Sequence, residues 1–532
     1  MPLPRARSTL VAAAIIMTIL SIALFAAVAA TGGPAIVGRI GPTGPFADLH
    51  HALTLSLTRN ACWLAAASGG AAVLAGLAGV RRGWRPSPGL VLAAGAVVTV
   101  VFVFIPPTAS IDVQNYAEYG RMVVLGHNPW EITPQRLYEW NDPVGRLRPL
   151  EWRNQPTVYG PAATAVEAAA AWLGGTSMAW IAFWIKVANG ISYIAVAVVL
   201  DRLAGPDPAR RARVAVLWTV NPLMLFWLVA GAHADLLALL PLVLALSALR
   251  SRWAVPERRA APVAGIAGLL AGISIAVKVT FAAPVAGLAV GLWRVATGPR
   301  RGTSLASMIT AGALVLAAGY AVAGPAALRS LSQRLSSAGD SFLPLPGFVY
   351  NHVTLYAAAS VAAAGIVGGI VAWRMPPGHA DLPWTRPMAI CAIAVVLGGI
   401  VQYPWYDAMF FPLLALLPAS ALDGWLVGRA VLISGVVLPG IGIKDDQYRA
   451  ARVLVPAFLV IFLVALALGR LRGGDNAQNP QPSQRSGQLA LPDRSLVLAG
   501  QGGPAPVDHR FADPRPGREA PTGRRPASRR GR

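Results

Sequence analysis

Long apolar runs with almost no charge dominate residues 1–470 of this 532-residue chain. Several of them extend over about 17–22 residues, which is the length that an α-helix needs to cross the hydrocarbon core of a bilayer. Charged residues make up only 13% of the chain, about half the share found in soluble proteins. The two cysteines, Cys62 and Cys391, both lie inside apolar runs and offer no disulfide or zinc framework. The sequence therefore predicts a membrane protein and excludes a soluble multidomain enzyme for this part of the chain.

Fourteen such runs predict an all-α polytopic membrane protein, a bundle of about 14 (12–14) transmembrane helices with a large first outer loop that contains interfacial helices. The predicted spans are 9–31, 58–80, 89–107, 178–200, 214–230, 233–250, 262–280, 282–296, 304–323, 353–373, 387–403, 408–424, 429–443 and 453–469. Residues 1–107 hold the N-terminal helices, 108–177 form the outer loop, and 178–470 hold helices four to fourteen. The first span is longer than the apolar core of a signal peptide, which favours an uncleaved anchor.

Arginine is concentrated in the short connections on one side of this predicted bundle. Because cytoplasmic loops of membrane proteins are enriched in Lys and Arg, these connections and both termini are predicted to be cytoplasmic, in a plasma (cell) membrane protein. The arginines concerned are Arg81, Arg82, Arg85, Arg202, Arg210, Arg211, Arg213, Arg250, Arg252, Arg258, Arg259, Arg294, Arg300, Arg301, Arg374, Arg386 and Arg429. The net charge of 45 − 23 = +22 therefore indicates topology and contact with membrane lipids, and no nucleic-acid partner is expected.

The C-terminal segment 471–532 has a different composition from the rest. It is rich in Arg, Pro, Gly, Ser and Gln and has almost no aromatic residues. A segment of this kind cannot bury enough apolar surface to fold. We expect a disordered, basic cytoplasmic tail that lies near anionic lipid headgroups.

The outer loop 108–177 carries polar and aromatic residues in two dense runs. Residues 110–121 read SIDVQNYAEYGR and are followed by GHNPW at 126–130, and residues 151–161 read EWRNQPTVYGP. Loops of this length are usually functional. Asp112 precedes a predicted helix over 113–125 that lies along the membrane, so it is either an N-cap or a carboxylate held at the surface as a base or metal ligand. Residues 161–175 are too short to span and predict a half-helix.

Three further features fall on the same predicted face. The turn 231–235 brings His233 and Asp235 to the mouth of an apolar hairpin, where a cap and a site role are both open. Lys278 lies at the outer end of the seventh span, and Lys186, in the fourth, is the comparable case that could pair with an acid. Other polar or aromatic residues at outer span ends are Asn351, His352, Gln402, Tyr403, Trp405, Tyr406 and Asp407.

A carboxylate and a cation at one membrane boundary suit a reaction on a lipid-linked phosphate. The cation would stabilise the phosphate while the carboxylate takes a proton from an attacking hydroxyl. The sequence has no Walker loop, no dinucleotide fingerprint and no zinc spacing, so an activated donor would have to arrive ready-made in the membrane. A transporter or flippase of a lipid-linked substrate and a non-catalytic scaffold are the alternatives from other classes.

Taken together, the runs 110–121, 126–130 and 151–161, with Asn221-Pro222, the turn 231–235 and the Lys278 segment, resemble the C-type glycosyltransferase superfamily (GT-C). Within it, they are most similar to actinobacterial polyprenol-phosphate-mannose-dependent α-(1→6)-mannosyltransferases of lipomannan assembly. The resemblance covers roughly residues 90–420 and implies a GT-C-like bundle whose loop 108–177 is the outer catalytic loop. The turn reads His-Ala-Asp here, where those relatives commonly have His-Asn-Asp.

The resemblance also implies a function. It implies a hexosyltransferase that moves a mannosyl residue, with inversion, from a polyprenyl-phosphate-sugar donor to a glycan or glycolipid acceptor of the cell envelope on the outer face. The same chemistry with another sugar, such as arabinofuranose, stays open. On this reading Asp112 is the catalytic base, Lys278 and Arg153 bind the donor phosphate, and the other substrate-binding residues are Tyr116, Arg121, Asn128, Tyr159, His233 and Asp235. Use of a divalent cation (Mg or Mn) is left open.

Overall fold

The computed structural model describes residues 4–31, 40–41, 44–46, 53–108, 110–150, 152–251, 260–296, 299–336, 353–399, 403–437 and 457–465. Glu151, Asn351, His352, Gln402 and the predicted tail 471–532 lie outside these residues. The described residues are helical and contain no strand. The helices are α1 Pro4–Ala30, α2 Leu55–Arg81, α3 Pro88–Phe104, α4 Asp112–Val124, α5 Pro134–Glu139, α6 Pro161–Gly174, α7 Met178–Ala204, α8 Pro208–Val214, α9 Pro222–Met224, α10 Asp235–Ser251, α11 Ala260–Val277, α12 Ala282–Val295, α13 Pro299–Ala323, α14 Pro325–Ser336, α15 Val353–Arg374, α16 Thr385–Gly398, α17 Phe411–Ala415 and α18 Ala421–Val437, and residues 457–465 are also helical. The predicted all-α class is confirmed.

Six of the described helical segments are long and apolar enough to cross a membrane. They are Arg7–Ala30, Ser56–Arg81, Met178–Ala204, Pro208–Ala230, Ala260–Val277 and Arg301–Ala323. Shorter apolar helices are Pro88–Phe104, Val279–Val295, Ala358–Arg374 and Thr385–Gly398. Only 6% of the most apolar stretch of α13 is buried, as expected of a helix whose surface faces lipid. The chain is thus a membrane protein by composition and helix length, and the count of about 14 spans stays a prediction.

Many of these helices begin where a capping residue precedes a proline. Asp207 and Asn221 each accept a hydrogen bond from a backbone N–H of the first turn, and Pro208 and Pro222 follow them at the first helical position. Proline is favoured there because its fixed φ suits a helix and its missing N–H would have had no partner. These dipeptides therefore set the starts of α8 and α9.

The segment Pro208–Ala230 is a broken helix. Two π-helical stretches, Ala215–Thr219 and Leu225–Ala230, lie on either side of the short α9. Side chains satisfy the carbonyls that the break releases, since Asn221 Nδ2 donates to the Leu217 oxygen at 3.0 Å and the Tyr193 hydroxyl donates to the Trp218 oxygen at 2.5 Å. A break inside an apolar layer is tolerated only when such groups are satisfied internally.

Two sequence predictions about other helices need correction, and one alternative that the sequence left open is decided. The predicted span 408–424 is not one helix, because Pro412 and Pro418 interrupt it: a 3₁₀ turn, Pro404–Met409, precedes the short α17, and α18 begins only at Ala421. Among the described residues Lys186 pairs with no acid, and its ammonium donates to the Ile105 carbonyl at the end of α3, at 2.5 Å. Arg429 lies inside α18, where it is buried, rather than on an inner connection.

Other arginines hold helix ends together. Arg213 makes two hydrogen bonds to Asp423, at 2.9 and 3.1 Å, and one to the Leu414 carbonyl. Arg250 donates to the carbonyls of Arg202 and Leu203 at the end of α7. Cations at helix C-termini satisfy free carbonyls and complement the helix dipole. Part of the chain's basic charge is therefore used in packing.

Helices α11 and α13 approach each other through glycines. A Cβ placed on Gly268 would lie 2.1 Å from the Met308 carbonyl oxygen, which is backbone and cannot rotate away. Small residues at a crossing let two helix backbones come close, which is how helices associate in lipid. Gly268 therefore sets the distance between these helices.

We predict that Gly268→Ala lowers the free energy of unfolding by about 1–3 kcal/mol, because the added methyl overpacks the crossing. Thermal unfolding in detergent measures this as a lower Tm. The matched control is Gly365→Ala in α15, where an added Cβ meets nothing within 4 Å and alanine is the better helix former. Equal Tm values for the two variants would contradict the packing assignment.

Candidate active site

Helix α4 presents Asp112 at its first turn. The N-cap position falls on Ile111, so the predicted cap at Asp112 is wrong by one residue: the Asp112 N–H donates to Ser110 Oγ at 3.1 Å, and the helix has already begun. The Asp112 side chain is 18% exposed. A carboxylate in the first turn is stabilised by the positive end of the helix dipole. Asp112 is therefore an oriented carboxylate that still reaches solvent.

His233 lies behind this carboxylate. Its Nδ1 is 3.5 Å from Asp112 Oδ2, and its side chain is fully buried. The imidazole stacks on the indole of Trp405, with ring centroids 3.7 Å apart and planes 15° from parallel. Two of the predicted site residues are thus brought together, and Trp405 joins them.

Asp235 and Lys278 form a buried ion pair. Lys278 Nζ is 2.6 Å from Asp235 Oδ2. Helix α11 ends at Val277, and Lys278 follows it in an extended conformation, with φ −149° and ψ 119°. The Ser274 hydroxyl donates to the Ala238 carbonyl at 2.7 Å and so holds α11 against α10. The C-terminal end of α11 therefore positions the Lys278 ammonium beside Asp235, the first residue of α10.

Two tyrosines complete the cluster. The Tyr116 hydroxyl donates to the Tyr159 hydroxyl at 3.0 Å, and the rings meet edge to face. Burial raises the pKa of both hydroxyls well above 10, and the charge of Asp112 raises them further. Lys278 Nζ also lies 4.3 Å from the ring centroid of Tyr406 and 5.8 Å from that of Tyr159. The tyrosines are therefore neutral hydroxyl groups beside one carboxylate and one ion pair.

The loop residue Gly160 ties this arrangement to the end of α11. Its N–H donates to the Val277 carbonyl at 3.1 Å, and a Cβ on it would lie 2.1 Å from the Ala276 oxygen. Trp130 Nε1 donates to the Tyr159 carbonyl at 3.0 Å. Any larger residue at 160 would push Tyr159 away from Lys278.

Three other predicted site residues have different surroundings. Arg121 forms an ion pair with Asp142 at 2.9 Å. Asn128 accepts the Trp130 N–H through Oδ1 at 3.0 Å, and Arg153 is exposed, its carbonyl accepting from the Gln135 N–H. These contacts tie Arg121, Asn128 and Arg153 to residues outside the cluster of Asp112, Asp235 and Lys278. Their roles toward substrate remain predictions.

Sequence reasoning missed how the cluster is supported. Asp407 forms a buried ion pair with Arg429, the residue that was assigned to an inner connection. Trp227 Nε1 donates to Ser434 Oγ at 2.7 Å, and its ring lies against Trp405. The signal was present, since an arginine inside an apolar run needs a partner, but nothing in the sequence names that partner.

The sequence also did not single out a second carboxyl group on α4. Glu118 is fully buried, and within the described residues its side-chain oxygens have no hydrogen-bond partner. Burial raises its pKa well above 4.5. Of these two carboxyl groups on α4, Asp112 is therefore the one that reaches solvent.

The carboxylates do not assemble into a metal site within the part of the chain that the structure describes. No group of three or more His, Cys, Asp or Glu side chains there could hold a metal ion. Asp235 is engaged with Lys278, which leaves Asp112 and His233 as the nearest set of donors. Mg²⁺ is often held by only one or two carboxylates together with substrate phosphates, so use of a divalent cation stays open.

Comparison with known proteins points to one family. Residues 20–296 match a family model described as the N-terminal domain of alpha-(1->6)-mannopyranosyltransferase. A curated Mycolicibacterium smegmatis protein, described as "Probable alpha-(1->6)-mannopyranosyltransferase", is 30% identical over 157 residues. That match covers 26% of this chain and about a quarter of the length of the relative (25%). No solved structure matches the chain.

The matched region contains Asp112, Tyr116, His233, Asp235 and Lys278, whereas Trp405 and Tyr406 lie beyond it. It extends over more than half of the 532 residues. The sequence resemblance and the family match therefore agree: the chain belongs to the alpha-(1->6)-mannopyranosyltransferase family.

Proposed function

We propose that this protein transfers a mannosyl residue, with inversion, from a β-linked polyprenyl-phosphate-mannose to a glycan or glycolipid acceptor on the outer face of the plasma membrane. The observation that carries the proposal is that a solvent-reaching carboxylate, Asp112, lies close enough to a buried cation, Lys278, for their charges to interact. Family membership supports the sugar and the reaction type. The arginine-rich connections support an orientation in which this cluster faces outward.

The proposed reaction is a single displacement. A hydroxyl oxygen of the acceptor attacks the anomeric carbon of the donor, and the bond between that carbon and the phosphate oxygen breaks. The bonding electrons leave with the polyprenyl phosphate, and Asp112 accepts the hydroxyl proton. Attack opposite the leaving group converts a β-linkage to an α-linkage. One base is enough for this step, since inverting transfer needs no enzyme nucleophile.

In this proposal Lys278 binds the donor phosphate. Its ammonium is held by Asp235 and flanked by the rings of Tyr159 and Tyr406. A preorganised cation stabilises the negative charge that develops on a departing phosphate, most strongly where water is excluded. The neutral hydroxyl of Tyr159, which accepts a hydrogen bond from Tyr116, can donate its own hydrogen to the same phosphate or to the sugar. No step is assigned to a divalent cation.

We predict that Asp112→Asn lowers mannosyl transfer by about 10²–10⁴-fold, because the amide cannot accept the proton. The measurement uses membranes that contain the full chain, labelled polyprenyl-phosphate-mannose and a short mannan acceptor. The matched control is Asp381→Asn. Asp381 is partly exposed and forms an ion pair with Arg210 at the ends of helices that do not carry the candidate site. This variant should therefore transfer at the native rate.

No transfer by the folded native chain would contradict the proposed function. Transfer from polyprenyl-phosphate-arabinose, and not from the mannose donor, would replace the sugar and keep the chemistry. Native-level transfer by Asp112→Asn would remove Asp112 from the role of base.

Lys278 allows folding and catalysis to be separated. Lys278→Met leaves Asp235 buried without its cation, which should lower the stability by about 3–5 kcal/mol. We predict that the double variant Lys278→Met/Asp235→Leu recovers most of the decrease in Tm, because two apolar side chains leave no buried charge without a partner. Its transfer activity should stay at least about 100-fold below native, because no cation faces the phosphate. Thermal unfolding and the transfer assay measure the two effects, and a stable double variant with native activity would contradict the role of Lys278.

A further inference from the structure

A chain of contacts leads from the interior to the proposed base. Asp407, in the 3₁₀ turn Pro404–Met409, is anchored by Arg429 of α18. Trp405, in the same turn, is 6% exposed and stacks on one side against Tyr403 and on the other against His233. His233 Nδ1 then lies 3.5 Å from Asp112 Oδ2, and neither ring nitrogen has a hydrogen-bond partner among the described residues. Each contact fixes the next, and the last one is with the carboxylate that reaches solvent.

His233 itself has no route to a substrate. Its side chain is 0% exposed, whereas that of Asp112 is 18% exposed. Its Nε2 faces Gly231, where an added Cβ would lie 3.1 Å from that nitrogen and 2.5 Å from the Trp227 carbonyl oxygen. An ionised carboxylate only accepts hydrogen bonds, so the nitrogen facing it must carry the proton. The imidazole therefore acts on Asp112 and not on the sugar.

The backbone of the turn also supports a functional role. Ala232, the residue before His233, has φ +55°, a left-handed conformation that is costly for a residue with a Cβ. Strain of this kind persists only where the surrounding structure enforces it, and it is concentrated at functional sites. Here it turns the chain from the π-helical stretch into α10 and places His233 beneath Asp112.

We propose that His233 is the positioning residue of the base: its Nδ1–H holds the Asp112 carboxylate toward the acceptor, and Trp405 holds the imidazole. The inference rests on the proposed function and deepens it. It also means that the matched region 20–296 does not complete the site by itself. The segment 403–409, far beyond it in sequence, supplies the surface on which His233 is stacked.

Paired variants test whether an N–H at the position of His233 Nδ1 holds Asp112. The Asn side-chain amide can place an N–H where Nδ1–H lies, whereas Gln extends to the position of Nε2. We expect His233→Asn to keep kcat within about 10-fold of native and His233→Gln and His233→Ala to lose about 100-fold, with KM for the donor little changed, because a misplaced base slows the chemical step. Trp405→Phe should keep most activity and Trp405→Ala should behave as His233→Ala.

Matched controls are available elsewhere in the fold. His379→Ala alters a histidine beside Asp381 and Arg210, and Trp425→Ala removes a tryptophan that packs on Phe458 and Phe462. Both should transfer at the native rate. Equal activity of His233→Asn and His233→Gln, or a raised KM with unchanged kcat, would overturn the positioning role.

A second measurement does not depend on activity. The chain has seven histidines, so ¹⁵N-histidine labelling of the full chain in detergent gives few signals, and the one lost in His233→Asn belongs to His233. We expect a proton on Nδ1 and none on Nε2, and a shifted Nδ1 signal in Asp112→Asn. A proton on Nε2, or no response to Asp112→Asn, would overturn the proposal. Failure of the native chain to transfer mannose would instead contradict the proposed function, while this signal still reports the His233–Asp112 contact.

Discussion

The ion pair between Lys278 and Asp235 is the interaction on which the candidate site depends. Taking either charge out of water alone would cost several kcal/mol, so the two must meet with good geometry wherever the helices bury them. Their contact fixes the end of α11 against the start of α10. Arg213 with Asp423 and Arg429 with Asp407 impose the same condition on other helices. Scarce charges therefore act as long-range constraints on the bundle.

Among the described residues of the site, this constraint distinguishes Asp112 from the other carboxyl groups. Asp235 is engaged with Lys278, and Glu118 is fully buried, which raises its pKa. Asp112 remains at the first turn of α4, partly exposed, with His233 behind it. The rings of Tyr159 and Tyr406 lie beside Lys278 in the same cluster, and burial keeps the pKa of the Tyr159 hydroxyl well above 10. A base next to a preorganised cation is what an inverting transfer from a lipid phosphate requires.

The helical class and the outlying residues Asp112, Asp235 and Lys278 could be predicted because apolar runs and intramembrane charges are properties of local sequence. The residues with which these charges pair could not be predicted. Lys278 and Asp235 are 43 residues apart, and Arg213 and Asp423 are 210 apart, so packing decides which charges meet. The same holds for Arg429, whose position in an apolar run was interpreted as topology until its contact with Asp407 showed otherwise. Pro412 and Pro418 could have predicted the break in span 408–424, but the apolar content of the run favoured a single helix.

The central claim is that one carboxylate drives a single displacement on a β-linked donor. The anomeric configuration of the newly formed linkage tests this most directly. NMR of the product made by the full chain from labelled polyprenyl-phosphate-mannose should show an α-mannosidic bond, because one displacement inverts the anomeric centre. A β-linked product would mean retention, and it would require an enzyme nucleophile that this account does not contain.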